Sequence, residues 1–227
     1  MRLSRPVVVA LSCAGLFFLL TVPIVLGHNW PGEWKLVVWI TSLRRPALTT
    51  AMQLLTFLAA ARAALLISVG VSAITIWRQR RLSRQGLFPL VALLGSVPFN
   101  FILRTAVGRL RPGVNYIPNL LPEIRHPFQR WSYPSGHAIV SVVVWGALAY
   151  LLWASWKNDP AAGPIGRRWV FLIAVIALVG GIGFSRVYLG VHWPTDVVGG
   201  WLVGLSWLAT SIAWAFREGA IDRSSIR

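Results

Sequence analysis

Three short motifs in this chain contain the residue types that chemistry on a phosphate group requires. Imidazole can attack phosphorus or carry a proton near neutral pH, a carboxylate can orient an imidazole, and guanidinium forks match phosphate oxygens. The motifs read Arg104-(six residues)-Arg111-Pro112, Tyr133-Pro134-Ser135-Gly136-His137, and Ser185-Arg186-(five residues)-His192-(three residues)-Asp196. Together they indicate phosphoryl transfer, provided that the fold brings them to one place.

The third motif predicts an oriented nucleophile. Pro194 can open a helix, which places Asp196 in the first turn and His192 just before it. The carboxylate could then accept a hydrogen bond from one ring nitrogen and leave the other free to attack. Arg186 would end the preceding helix beside the same spot. The alternative interpretation is an interfacial histidine next to a helix-capping aspartate.

The second motif predicts an anion site at a helix start. Pro134 suits the first helical position, so Ser135, Gly136 and His137 would occupy a first turn whose free N–H groups favour an anion. Gly136 lets a phosphate approach the backbone, and the Ser135 hydroxyl adds a donor. An ordinary helix start with a capping serine and an interfacial histidine is the alternative.

The first motif predicts a pair of phosphate-binding arginines. Arg104 and Arg111 fall on one face if their helix continues to Pro112. Arg109 lies off that face and is interpreted as a solvated or headgroup-contacting charge. The alternative is that these arginines are only positive charges at the edge of the membrane domain and bind no phosphate.

Composition indicates an integral membrane protein. Of the 227 residues, 56% are hydrophobic and 12% are charged, against about 25% charged in soluble domains. The net charge of +16 comes from 22 Lys and Arg against 6 Asp and Glu, gathered in short loops rather than in a nucleic-acid-binding surface. The single cysteine, Cys13, excludes an intrachain disulfide. No group of Cys, His or carboxylate residues has the spacing of metal ligands.

Six apolar segments are long enough to span a bilayer, which takes roughly 20 residues. They lie near 6–27, 47–77, 87–107, 135–156, 168–187 and 194–216. We interpret the first as a retained helix rather than a signal peptide, because its apolar run exceeds the usual length of roughly 7–15 residues. Without repeats or interdomain linkers, the sequence predicts one all-α membrane domain, 1–227.

Lysines and arginines of the intervening loops predict the orientation. Most of those outside the motifs fall on one side, which the positive-inside rule makes cytoplasmic together with both termini. The motifs then lie on the extracytoplasmic face, at the outer ends of the third to sixth spans. The loop 113–131 and the aromatic stretch around Trp34 and Trp39 are interpreted as interfacial. Arg62 is placed inside the second span, and Glu33 among loops and tails.

Taken in order, the three motifs resemble the type 2 phosphatidic acid phosphatase (PAP2) superfamily, which shares its core with vanadium haloperoxidases. The family pattern reads Lys-(six)-Arg-Pro, Pro-Ser-Gly-His, and Ser-Arg-(five)-His-(three)-Asp. This chain departs from it at Arg104, which stands at the lysine position. The resemblance covers residues 85–216 and suits the small bacterial branch similar to phosphatidylglycerophosphatase B (PgpB).

The resemblance implies a role for each motif residue. His192 would attack phosphorus to form a phosphohistidine, Asp196 would orient it, and His137 would protonate the leaving oxygen and later activate water. The remaining residues would hold the phosphoryl oxygens: Arg104, Arg111, Ser135, Gly136 and Arg186. No metal or other cofactor is implied.

We therefore expect a lipid phosphatase of the bacterial inner membrane whose site faces the periplasm. Its partners would be the bilayer and a lipid phosphate such as undecaprenyl diphosphate, phosphatidylglycerophosphate or phosphatidic acid, with no nucleic acid. Three alternatives stay open: a phosphotransferase using the same phosphohistidine, a lipid A phosphatase, and a non-enzymatic transporter or scaffold. The sequence leaves the oligomeric state open.

Overall fold

The computed structural model describes residues 4–112, 130–157 and 165–216, and these ranges are almost entirely helical. Their eight helices are α1 (Arg5–Val25), α2 (Glu33–Ser42), α3 (Pro46–Phe57), α4 (Ala61–Gln79), α5 (Arg84–Val107), α6 (Gly136–Lys157), α7 (Ile165–Tyr188) and α8 (Pro194–Ala215). Within the described ranges, the only β-type pairing is an isolated bridge between Leu110 and Trp131. The all-α prediction is confirmed.

Six of these helices, α1 and α4 to α8, are long and apolar enough to cross a membrane. The prediction of six spans is therefore confirmed for the part of the chain that the structure describes. Five of the spans begin and end within a few residues of the predicted bounds.

The predicted second span, 47–77, is wrong. It divides into α3 and α4, separated by residues 58–60, and only α4 is long enough to cross. One helix over 47–77 would measure about 46 Å, well above a hydrocarbon core of about 30 Å. The chain turns because α3 packs against α7 whereas α4 packs against α5. Arg62 consequently lies exposed in the first turn of α4, at the end of a span instead of within its length.

Helix α8 occupies the middle of the bundle and packs against α1, α5, α6 and α7. Its glycines allow a close approach to α6: a Cβ on Gly200 would lie 2.6 Å from the Ser135 carbonyl oxygen, and one on Gly204 would lie 2.9 Å from Val142 Cβ. Small residues allow close packing of helices in membranes, where packing matters because the hydrophobic effect does not drive helices together among lipid tails. The α6–α8 contact carries the second and third motifs.

Helix α1 is an integral part of this bundle. The Thr21 hydroxyl lies 2.7 Å from the hydroxyl of Tyr133, whose ring stacks on Phe17 with centroids 5.7 Å apart. Further along, the Ser206 hydroxyl of α8 donates a 2.9 Å hydrogen bond to the Ala10 carbonyl. These contacts tie α1 both to α8 and to the segment that precedes α6.

Candidate active site

His192 lies in the turn between α7 and α8 and is 1% exposed. Its Nδ1 lies 3.3 Å from Oδ2 of Asp196, which is fully buried in the first turn of α8 and also accepts a 2.9 Å bond from the Trp193 amide. Gly190 makes the turn possible with a left-handed φ of 68°. A carboxylate on Nδ1 fixes the ring tautomer and leaves Nε2 as the unprotonated nitrogen.

The first motif reaches His192 by a route that the sequence did not predict. Helix α5 ends at Val107, with Gly108 in a left-handed cap at φ 61°, so the expected continuation to Pro112 is wrong. Arg111 instead follows the Leu110–Trp131 bridge, and its amide donates to the Arg130 carbonyl at 3.0 Å. Its Nη1 then donates to the Val191 carbonyl at 2.6 Å and lies 3.2 Å from His192 Nε2.

The second motif joins α8 directly. Helix α6 begins at Gly136, so Pro134 and Ser135 precede it rather than forming its first turn as predicted. The Ser135 amide donates to the Asp196 carbonyl at 2.9 Å, while the Ser135 hydroxyl is buried and has no hydrogen-bond partner among the described residues. An unsatisfied buried donor costs about 1–3 kcal/mol, which a bound phosphate oxygen would recover.

Gly136 has a steric reason to be glycine. A Cβ there would lie 2.8 Å from Asn100 Nδ2 and 3.3 Å from Arg104 Nη2, both on α5. The buried Arg104 therefore lies directly against the start of α6. His137 follows in the first turn of α6, half-buried, and Arg186, Arg104 and Arg111 are the cations that act on it.

Arg186 approaches from the last turn of α7. Its Nη1 donates to the Thr56 hydroxyl of α3 at 2.8 Å, and its Nε is buried with no partner in the described part of the chain. Thr56 contacts a motif arginine but was not predicted from the sequence. Its position beside α7 was not apparent because residues 47–77 were predicted to form one helix.

The surroundings of His192 keep it neutral. Burial lowers the pKa of His192 well below its ordinary value, and the cations Arg111, Arg186 and Arg104 lower it further, as does His137. Burial and the neighbouring Arg104 also lower the pKa of Arg111, to about 10, against the opposing effect of Asp196. At neutral pH the site thus combines a neutral imidazole with charged guanidinium groups, as attack on a phosphate requires.

The described motif residues therefore converge on one cationic pocket at the end of the bundle where α5 and α7 finish and α6 and α8 begin. Residues 113–129, including Tyr116, Arg125, His126 and Phe128 of the loop interpreted as interfacial, lie outside the described residues. Trp131, at the end of that loop, is half-buried in its bridge with Leu110.

Sequence comparison agrees with this geometry. The family model of the PAP2 superfamily matches residues 85–220. The chain belongs to the PAP2 superfamily. A phosphatidylglycerophosphatase B of Bacillus subtilis is 32% identical over 164 residues, covering 72% of this chain and 73% of that protein. An undecaprenyl-diphosphatase of Sulfolobus acidocaldarius is 32% identical over 131 residues, which make up 57% of this chain and 54% of that protein.

A solved structure of the superfamily shares the fold. The crystal structure of a transmembrane PAP2-type phosphatidylglycerolphosphate phosphatase from Bacillus subtilis matches with a TM-score of 0.75 at 25% identity, over 90% of this chain and 94% of that one. The family prediction is confirmed, and the chain is a membrane-spanning PAP2 phosphatase.

Two charged residues of this PAP2 protein were misinterpreted from the sequence. The Arg109 side chain is only 9% exposed rather than solvated, and its Nη1 lies 2.9 Å from Asp196 Oδ1. Its Nη2 lies 2.6 Å from Glu33, which is not in a loop or tail but begins α2 with a 3% exposed side chain. A buried acid in an apolar domain needs a cationic partner, so Glu33 could have indicated an ion pair with one of the arginines. The sequence alone does not indicate which arginine forms that ion pair.

Proposed function

We propose that this PAP2 protein hydrolyses a phosphate monoester or diphosphate of a lipid through a phosphohistidine on His192. The observation that carries the proposal is the geometry of that ring. Asp196 holds Nδ1 at 3.3 Å, and Nε2 faces the guanidinium of Arg111 at 3.2 Å. A phosphate bound to that guanidinium would have its phosphorus within reach of the nucleophilic nitrogen.

In the first half-reaction, the lone pair on Nε2 attacks phosphorus and the bond to the lipid oxygen breaks. The bound anionic phosphate offsets the surrounding arginines and lets His137 carry a proton. His137 donates that proton to the leaving oxygen, and Asp196 stabilises the positive charge that develops on the His192 ring. In the second half-reaction, the now neutral His137 takes a proton from water. The resulting hydroxide attacks phosphorus, the P–N bond breaks, and inorganic phosphate leaves with His192 restored.

The charge that develops on the phosphoryl oxygens is met by fixed donors. Arg111 lies 3.2 Å from His192 Nε2, and Arg104 and Arg186 are close enough to act on the same ring electrostatically. The Ser135 hydroxyl and the Gly136 amide lie at the N-terminus of α6. Preorganised donors of this kind lower the barrier because they need no rearrangement as charge accumulates. They supply the positive field that Mg²⁺ supplies in kinases.

Two observations support a lipid substrate at the extracytoplasmic face of a bacterial inner membrane. The pocket lies at the ends of four helices that are long and apolar enough to span a membrane, where a lipid headgroup would be within reach. The opposite ends of the spans carry several arginines that contact no part of the site: Arg5, Arg78, Arg80, Arg81, Arg84, Arg167 and Arg168. The positive-inside rule makes that end cytoplasmic. The names of the relatives suggest undecaprenyl diphosphate and phosphatidylglycerophosphate as first substrates to test.

Phosphate release from purified protein in detergent tests the proposal, with undecaprenyl diphosphate, phosphatidylglycerophosphate, phosphatidic acid and lipid A phosphate as substrates. We expect His192→Ala to lose turnover and any covalently trapped phosphate. We expect His137→Ala to slow the reaction least for a substrate with a good leaving group, because such a group needs no proton. Ser206→Ala, on the same helix as Asp196 but remote from the pocket, serves as the control and should retain activity.

Retention of a substantial fraction of phosphate release by His192→Ala would exclude it as the nucleophile. Phosphoenzyme formation without release of inorganic phosphate would instead indicate transfer to another acceptor. Fusing a reporter that fluoresces only in the cytoplasm to the C-terminus tests the orientation, and fluorescence is the expected result.

A further inference from the structure

Glu33 and Asp196 are the two acidic residues in the described part of the chain, and both bind one guanidinium. Arg109 Nη1 lies 2.9 Å from Asp196 Oδ1, and Arg109 Nη2 lies 2.6 Å from Glu33 Oε2. The three side chains are buried, with exposures of 9% for Arg109, 3% for Glu33 and 0% for Asp196. Arg109 therefore links a carboxylate of α2 to the carboxylate that holds His192.

A second set of contacts closes this link into a ring. Glu33 Oε1 accepts a 2.9 Å hydrogen bond from the amide of Thr195 and another from its hydroxyl. Arg109 Nη1 donates to the same hydroxyl at 2.6 Å. Thr195 precedes Asp196 in the first turn of α8, where a negative charge is favoured by the helix dipole. Glu33 thus holds the α8 N-terminus and the guanidinium at once.

The guanidinium itself has little freedom. Its Cζ lies over the Trp193 ring, 4.9 Å from the centroid, and its Nη2 also reaches Asn29 Oδ1 at 3.4 Å. Because both Nη atoms of the guanidinium are bound, the direction from which it contacts Asp196 Oδ1 is fixed. The other oxygen, Oδ2, is then presented to His192 Nδ1 and the Trp193 amide. The orientation of the imidazole thus depends on contacts that begin at α2.

The contacts among Glu33, Arg109 and Asp196 also set the charge beside His192. Arg109 alone would cancel the charge of Asp196, whereas the Glu33–Arg109–Asp196 trio keeps one net negative charge beside His192. The other charged or titratable groups that act on His192 are Arg111 after α5, Arg104 on α5, Arg186 on α7 and His137 on α6. Against so many cationic groups, a retained negative charge favours the positive ring that forms when Nε2 is phosphorylated.

We propose that Glu33 and Arg109 are positioning residues for the PAP2 reaction, which hold Asp196 against His192 and keep the carboxylate side of the pair negatively charged. The proposal rests on the proposed function, since it assumes that His192 is the nucleophile. Glu33 lies outside residues 85–220, the part matched by the family model. Helix α2 would therefore be a working part of the site and not only an interfacial segment.

Glu33→Gln is the most direct test, because the amide keeps the size of the side chain and an oxygen for Thr195 but loses the charge. We expect kcat to fall by about 10- to 100-fold, as is typical when an outer-shell partner is lost, with KM changed by less than about 3-fold since Glu33 does not touch substrate. Glu33→Asp and Arg109→Lys keep each charge but lose its geometry, and should show the same loss in kcat. Arg84→Gln is the matched control, because Arg84 also lies over a tryptophan, Trp214, but at the other end of the bundle.

A double-mutant cycle separates positioning from general damage. If Glu33 acts through Asp196, the loss caused by Glu33→Gln should largely disappear in an Asp196→Asn background, measured by single-turnover release of labelled phosphate. A purely structural role would lower the rate by the same factor in both backgrounds. That result would overturn the proposal, as would a wild-type kcat in Glu33→Gln.

Two further controls keep the outcome unambiguous. Wild type and His192→Ala are assayed in parallel, so a wild type that releases no phosphate contradicts the proposed function, whereas active wild type with active Glu33→Gln contradicts only this inference. If Glu33→Gln does not give a folded protein, judged by elution and thermal unfolding in detergent, the Asp196→Asn cycle is carried out with Arg109→Lys. The same non-additivity is expected, and additive losses would overturn the proposal.

Discussion

The backbone amide of Ser135 donates a 2.9 Å hydrogen bond to the backbone carbonyl of Asp196. This bond joins the last residue before α6 to the first turn of α8, so the phosphate-binding motif and the histidine–aspartate motif share one rigid contact. The close approach is possible because Gly200, one turn beyond Asp196, presents no side chain to Ser135. The spacing of the two helices therefore sets the geometry of the pocket.

We predict that Gly200→Ala abolishes most activity although it lies outside the pocket. Its Cβ would lie 2.6 Å from the Ser135 carbonyl and 2.8 Å from Ala138 Cβ, neither of which can rotate away. The α6 start must shift, and displacement of catalytic groups by about 1 Å can cost roughly 100-fold in rate. The measurement is kcat/KM on the best lipid substrate.

Gly70→Ala is the matched control for Gly200→Ala. Gly70 lies within α4, and a Cβ there would meet nothing within 4 Å. Alanine is a better helix former than glycine by roughly 1 kcal/mol, so this variant should keep its activity and its stability. Equal activity of the two variants would mean that the α6–α8 spacing does not set the geometry of the site.

The motifs predicted the contact between His192 and Asp196 because their spacing is local. His192 and Asp196 lie within one turn of each other along the chain, so their contact follows from the helix start at Pro194. The six spans likewise follow from runs of apolar residues, since a bilayer demands length and hydrophobicity before anything else.

Other features depend on contacts between distant segments. Residues 58–60 contain neither proline nor glycine, so the break between α3 and α4 is set by packing on α7 and α5 rather than by local propensity. Arg109 was misinterpreted because its helix face was extrapolated past Gly108, where the helix ends. Its partner Glu33 lies far away in sequence, and no periodicity connects them.

Arg104, at the position where the family pattern has lysine, gives the second prediction. Arg104→Lys should keep kcat/KM within about 10-fold of wild type, because a point charge can still meet a phosphate oxygen there. Arg104→Ala should lose about 100-fold, the size expected when a charge-assisted hydrogen bond worth about 1.5–3 kcal/mol is removed. An alanine variant with unchanged kcat/KM would remove Arg104 from the phosphate site.

The third prediction concerns pH. Because the pKa of His192 is lowered, first by burial and then by Arg111, His192 stays neutral in mildly acidic solution and the acid limb of kcat/KM lies below about pH 6.5. Arg111→Gln removes a cation that holds this pKa down, so the pKa of His192 should rise. The acid limb should therefore move to higher pH.

Comparing variant and wild type on the same lipid cancels the ionisation of the substrate. Arg84→Gln, which removes an exposed cation at the far end of the bundle, should leave the limb in place. An acid limb that stays fixed in Arg111→Gln, or moves to lower pH, would contradict the assignment of His192 as the group whose protonation stops the reaction.

The fourth prediction is that the enzyme works without divalent metal and is blocked by vanadate. Arg104, Arg111 and Arg186 are part of the chain, so a chelator cannot remove the positive field that they place around His192. Phosphate release in excess EDTA should therefore stay close to the untreated rate. Vanadate can adopt the five-coordinate geometry of in-line attack and should bind where Nε2 reaches phosphorus. In a direct binding assay, His192→Ala should therefore bind vanadate more weakly than wild type. Loss of activity in EDTA that Mg²⁺ restores would show that metal supplies charge stabilisation which the arginines alone do not.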